Sequence, residues 1–143
     1  VAVLRQALQE GVIDAIAKDH SPHAFEEKDR EYKYAPSGFT GFETALGVVL
    51  TTLYHEGSMK LPEIVAAMTS RPAQVLGLDC GTLRVGSDAD IVIFDPEAEW
   101  TVDSRRFYSR GKHTPFEGKS LKGRVIATLV GGNLVYQDGE VLV

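Results

Sequence analysis

Residues 12–17, Val-Ile-Asp-Ala-Ile-Ala, are apolar except for Asp14 and show no alternation, and this run narrows the possible folds more than any other stretch. A half-exposed strand alternates apolar and polar side chains, so an unbroken run suits a strand covered on both faces, as in a parallel sheet flanked by helices. Such a strand needs a neighbour on either side. Lys18, Asp19 and His20 follow it and put polar side chains at its carboxyl end. The chain has 143 residues, and a complete (β/α)8 barrel takes about 250. A whole barrel is therefore excluded, and a first residue that is Val rather than Met leads us to expect sequence upstream.

Upstream of that run, Val1, Leu4 and Leu8 share a helical face, with Gly11 placed to end the helix. Residues 20–40 show neither helical nor strand period. They carry Pro22, Pro36, Gly38 and the mixed-sign run Glu26-Glu27-Lys28-Asp29-Arg30-Glu31, which reads as a solvated loop surface. Thr40 and Glu43 have capping-box spacing, and Phe42, Ala45, Leu46, Val49, Leu50 and Leu53 then recur at three- and four-residue intervals, predicting a helix that ends near Gly57. Further helices are expected over 61–69, with Pro62 near the first turn, and over 72–76, stopped at Gly77. From about residue 79 the texture is β-prone: short runs at 82–85, 91–94, 100–102, 124–130 and 134–136 are separated by Gly86-Ser87-Asp88, Asp95-Pro96 and Gly131-Gly132-Asn133. We therefore expect an α/β part over 1–78 and a small β domain over 79–143.

Composition removes some function classes. Fifteen Lys and Arg against 20 Asp and Glu give a net charge of −5, with no basic stripe, so nucleic acid is a poor partner. Apolar stretches such as 46–50 fall far short of the roughly 20 residues of a membrane span, and the N-terminus has no basic segment leading to a cleavage site. The expectation is a soluble, cytoplasmic protein without membrane contact. Cys80, the single cysteine, has no partner for an internal disulfide and reads as a packing or surface residue.

Asp19-His20-Ser21-Pro22-His23 is the one cluster that joins a carboxylate, two imidazoles and a predicted strand end. A carboxylate there is suited to bind a cation or exchange a proton, and imidazoles supply nitrogen donors near neutral pH. The same residues also suit a plain turn, with Asp19 capping it and both histidines exposed. On residues alone both readings stand. No Cys pair, HxH or HExxH accompanies the cluster, so a metal bound by Asp19 would need ligands from outside this chain. Ser37-Gly38 is a turn by default, although glycine there lets a backbone approach a ligand closely.

This cluster resembles the D-H-[AS]-P-H pattern ending the last barrel strand of the class I bacterial dihydroorotases, in the amidohydrolase superfamily. Ala35-Pro36-Ser37-Gly38-Phe39-Thr40-Gly41-Phe42-Glu43-Thr44-Ala45-Leu46 is similar to the A-P-x-G-x-x-G-x-E-T-A-L stretch that follows it. Arg71-Pro72-Ala73-Gln74-Val75-Leu76-Gly77-Leu78 resembles the N-P-A-x-x-L-G-L helix, Gly86-Ser87-Asp88-Ala89-Asp90-Ile91-Val92 the G-x-D-A-D-L-V signature, and His113-Thr114-Pro115-Phe116-Glu117-Gly118 the N-T-P-F-x-G motif. Lys18 and His113 stand where Thr and Asn are usual.

The resemblance implies the C-terminal portion of a metal-dependent hydrolase TIM barrel, its last strand, loop and helices, plus part of a small flanking β-sandwich domain. It implies zinc, one or two ions, and reversible hydrolysis of dihydroorotate to N-carbamoyl-L-aspartate in pyrimidine biosynthesis. Asp19 would be a metal ligand and the general base that returns its proton to the departing nitrogen. His23 and the Ser37-Gly38 backbone would contact substrate, and His20 would orient Asp19. These residues by themselves are expected to be inactive, because the remaining ligands lie upstream in the family. Allantoinase or hydantoinase chemistry is the nearest alternative, with His23 as the discriminator. A non-catalytic partner of aspartate transcarbamoylase is another, against which the presence of Asp19 argues. A homo-oligomer is compatible with the same resemblance.

Overall fold

The computed structural model describes residues 1–142. Helix α1 (Ala2–Gln9) buries Leu8 and runs into an extended segment rather than into a strand. Over 12–17 no ladder forms: Val12 is 72% exposed, while Ile13 and Ile16 turn onto the core and the Ile16 amide donates to the Ala67 carbonyl at 2.9 Å. The expected strand is corrected for a simple reason. A parallel strand is defined by bonds to its neighbours, and among the described residues none lies beside it.

A one-turn helix α2 (Phe25–Lys28) interrupts the long loop. Helix α3 (Ala45–Val49) then passes without a break into a π-helical segment, Leu50–His55. Here the capping box expected of Thr40 and Glu43 does not form, and Thr44 stands at the N-cap instead. Both side chains are taken by tertiary partners, Thr40 by the Gly111 carbonyl (2.7 Å) and Glu43 by Ser109. In the π segment Thr52 Oγ1 donates to the Val48 carbonyl (2.7 Å), and the Lys122 amide donates to Thr51 Oγ1 (2.8 Å). Side-chain bonds of the first kind compete with the i→i−4 ladder and often bend the helix. Helix α4 (Leu61–Met68) has Pro62 in its first turn, and Glu63 accepts from the Lys60 amide at 2.9 Å. Helix α5 (Ser70–Leu76) begins earlier than the sequence suggests and stops at Gly77, whose φ of +67° is the left-handed termination expected of it.

The β-prone half forms one antiparallel sheet in the order β1-β2-β3-β4: β1 (Ile91–Thr101), β2 (Ser120–Val130), β3 (Asn133–Gln137) and β4 (Glu140–Val141). The predicted runs 91–94 and 100–102 are one strand. Its register slips between Asp95 and Glu99, so Pro96 sits in an irregular stretch of an edge strand, where its missing N–H costs no ladder bond. His55 Nε2 donates to the part-buried Pro96 carbonyl at 2.8 Å. Gly131-Gly132 closes the β2–β3 hairpin with both φ angles positive, as its sequence suggests. The run 82–85 makes no strand, and Leu83 and Val85 stand in solvent.

The helical and β halves pack together. Leu8, Leu50, Leu53, Met59, Ile64 and Ala67 form one core with Ile16 and Phe94 against it; Val102, Phe107 and Leu121 form another with Val48 and Trp100. Helix α3 lies on β2, and Trp100 Nε1 donates to the Gly123 carbonyl at 3.0 Å. Thr40, wholly buried, ties the loop before α3 to the 109–113 loop through that Gly111 bond. Thr40→Val is expected to cost about 1 kcal/mol, because it leaves the part-buried Gly111 carbonyl without its donor. A urea midpoint unchanged from wild type would show that the Gly111 carbonyl finds another partner. Among the described residues no helix is long and apolar enough to cross a membrane.

Candidate functional site

The segment after residue 17 turns at Asp19, and its carboxylate is fixed locally. Ser21 Oγ donates to Asp19 Oδ2 at 2.6 Å, and Lys18 Nζ donates to the Asp19 carbonyl at 3.1 Å. Asp19 itself is exposed. The Ser21 amide donates to the Phe39 carbonyl (3.2 Å), which brings the 36–41 stretch alongside. Two glycines permit that approach. A Cβ on Gly38, where φ is +119°, would sit 2.6 Å from the Ser21 carbonyl, and one on Gly41 would sit 2.8 Å from the Asp19 carbonyl. Any larger residue at either place would push the two segments apart.

His23 lies in the same cluster. Its Nε2 donates to the Ser37 carbonyl at 2.9 Å, and its Nδ1 is 3.4 Å from Glu27 Oε2. The Ala24 amide, foremost, and then His23 hold the Glu27 carboxyl below the usual carboxylate range. The structure thus brings Asp19, His23, Ser37 and Gly38 onto one surface through Ser21 and short backbone contacts. His20 takes another role. Its ring stacks on Phe42, centroids 3.8 Å apart, and its Nδ1 accepts from the amides of Gly41 (3.3 Å) and Phe42 (3.4 Å). These bonds put the ring proton on Nε2. His20 therefore anchors the turn before α3 and makes no hydrogen bond to Asp19, contrary to the orienting role expected of it.

Sequence reasoning placed Lys18 and Ser21 beside Asp19 without assigning either a role there, and read Glu43 only as a helix cap. Burial draws the Lys18 ammonium below the ordinary lysine value, against the pull of the Glu43 and Asp19 carboxylates, and its Nζ lies 5.4 Å from the Phe42 ring centre. Burial alone would raise the Glu43 pKa. The Ser109 hydroxyl (2.6 Å) and amide (2.9 Å) outweigh it and hold the carboxyl below its usual range. Only the hydroxyl two residues after Asp19 had a local signal, the Asp-x-Ser spacing of a side-chain turn.

A cavity of about 860 Å³ opens between α3 and the sheet, with Glu43, Trp100, Arg105 and Tyr136 in its walls. Asp19, His23, Ser37 and Gly38 lie outside it. Nor do these residues form a metal site by themselves. Catalytic zinc takes three protein ligands, and among the described residues no group of three His, Cys, Asp or Glu side chains is placed to hold an ion. His20 Nδ1 and both ring nitrogens of His23 are already engaged. Asp19, exposed and bonded through one oxygen to a single hydroxyl, has free capacity, and it fits one ligand position of a larger set.

The family model described as "Amidohydrolase family" matches residues 1–135. Dihydroorotase from Pelotomaculum thermopropionicum is 51% identical over 138 residues, 96% of this chain, and dihydroorotase from Syntrophus aciditrophicus is 47% identical over 135 residues, 94% of it. The chain spans 32% of the length of each of these relatives. Among solved structures, L-hydantoinase (dihydropyrimidinase) from Arthrobacter aurescens superposes with a TM-score of 0.90 at 37% identity, over 98% of this chain and 32% of that one. Dihydropyrimidinase from Brevibacillus agri superposes with the same TM-score of 0.90 at 29% identity, again over 98% of this chain and 32% of its own. The fold is thus the C-terminal third of an α/β hydrolase of this kind, and the chain belongs to the amidohydrolase family.

Proposed function

We propose that these residues belong to a dihydroorotase, which hydrolyses the cyclic amide of dihydroorotate to N-carbamoyl-L-aspartate and reverses the reaction in pyrimidine biosynthesis. The observation that carries the reading is the identity to curated dihydroorotases, 43–51% over nearly the whole chain, with Asp19, His23, Ser37 and Gly38 gathered on one surface. In this assignment residues 1–78 are the barrel's last strand, loop and helices, and 79–143 belong to the flanking β domain. Residues 12–17 would complete their ladder against barrel strands from outside this chain. The protein would work in the cytoplasm.

Asp19 takes a proton from water as the oxygen attacks the ring carbonyl carbon. The carbon–nitrogen bond breaks, and Asp19 returns that proton to the departing nitrogen, so one carboxylate serves both steps. Ser21 holds Asp19 Oδ2 in a fixed rotamer during the transfer. His23, kept in place by the Ser37 carbonyl, and the backbone of Ser37-Gly38 bind the substrate ring and its carboxylate. Asp19 would hold zinc as one ligand of a set completed from outside this chain, and the ion, when bound, would supply Lewis acidity toward the amide carbonyl.

Hydantoinase chemistry is the second reading, favoured by the superposition on L-hydantoinase at a TM-score of 0.90. The full-length protein, supplied with zinc, should be assayed against dihydroorotate, hydantoin, dihydrouracil and allantoin. The expected result is the highest kcat/KM on dihydroorotate; a higher value on hydantoin or dihydrouracil overturns the assignment in favour of the second reading.

A further inference from the structure

The charged run 26–31 looks like solvated loop surface in the sequence, yet one member turns inward. Lys28 is the only part-buried residue of the run, and its Nζ donates to the carbonyls of Pro36 (2.8 Å) and Gly38 (3.1 Å). The carbonyl between them, that of Ser37, accepts from His23, and the next, that of Phe39, accepts from the Ser21 amide. Four consecutive carbonyls, 36–39, are therefore held by donors from 21–28. Lys28 supplies two of these bonds, and it is the only charged donor that closes the loop. Charge-assisted bonds of this kind are roughly twice as strong as neutral ones.

We infer that Lys28 is a positioning residue for substrate binding: its ammonium bridges the Pro36 and Gly38 carbonyls and so sets the orientation of the Ser37-Gly38 backbone relative to His23. The inference rests on the reading above, in which that backbone and His23 contact the substrate. Among the described residues the hydrogen bonds of Asp19 and Ser21 do not involve Lys28, so its removal is expected to bear on binding and not on proton transfer. A loop that must be ordered when substrate arrives charges that ordering to the binding step.

The test uses the full-length protein and whichever cyclic amide it hydrolyses. Lys28→Met is expected to raise KM about tenfold with kcat within about twofold of wild type, the pattern of lost uniform binding. Lys28→Arg, which keeps a charged donor, is expected to recover most of the wild-type KM, and Glu26→Gln on the exposed side of the same run to leave KM unchanged. Should Lys28→Met fail to fold, Lys28→Gln is read by the same criterion. Chymotrypsin cleavage at Tyr32, 98% exposed at the loop tip, separates a looser loop from a misplaced one. Faster cleavage with an unchanged KM overturns the inference, as does a fall in kcat at constant KM. Turnover of none of the cyclic amides by wild-type protein instead overturns the functional reading, and the role of Lys28 falls with it.

Discussion

Asp19→Asn in the full-length protein is expected to lower kcat on dihydroorotate by about three orders of magnitude, within the roughly 10²–10⁴ range for removal of a positioned general base. The substitution is nearly isosteric. An amide oxygen still accepts the Ser21 hydroxyl that now donates to Oδ2 at 2.6 Å, so the turn at 19–21 should keep its shape. What disappears is a group that can take a proton from water and give it back to nitrogen. The measurement is steady-state turnover in both directions, since one group serving both steps must slow hydrolysis and ring closure alike. Activity within tenfold of wild type in either direction would remove Asp19 from proton transfer.

The largest effect on stability is expected at Gly123, where Gly→Ala should cost about 3 kcal/mol from backbone strain and overpacking together. Gly123 sits in β2 with φ at +98°, a conformation that L side chains rarely adopt, and an added Cβ would overlap the side chain of Leu50. Leu50 is wholly buried in the helical core and cannot swing away into solvent. The two contributions can be separated. In the Gly123→Ala, Leu50→Ala double variant the overlap is relieved while the strained φ remains, so the destabilisation should be less than the sum of the single variants by about 1 kcal/mol or more. Urea denaturation of all four proteins measures this coupling. Strict additivity would show that the π-helical segment and β2 separate freely where Leu50 and Gly123 now touch.

Parts of this architecture are legible in a few residues at a time. Apolar side chains at three- and four-residue spacing with Pro62 near a first turn foretell α4, and Gly77 foretells the end of α5, because periodicity and φ are local properties. Gly131-Gly132 foretells the β2–β3 hairpin for the same reason. The Asp19-His20-Ser21-Pro22-His23 cluster was visible too, since its members are neighbours in the chain, and Ser37-Gly38 came with it through the motif that follows.

Other features depend on partners that sequence proximity does not supply. Residues 12–17 carry the apolar pattern of a buried strand, but a pattern makes no ladder without an adjacent strand, and the segment stays extended. Thr40 and Glu43 have the spacing of a local cap and are claimed by Gly111 and Ser109, 71 and 66 residues away. His20 reads as a companion of Asp19 and bonds instead to the amides that open the turn before α3. Lys28 is indistinguishable in sequence from the solvated charges around it. Local spacing set the helices, the hairpin and the place of the acidic and imidazole groups, because those follow from dihedral preference and side-chain period. The choice of hydrogen-bond partner for Thr40, Glu43, His20 and Lys28 was made by packing, because each polar group takes the donor or acceptor that the assembled chain brings within about 3 Å.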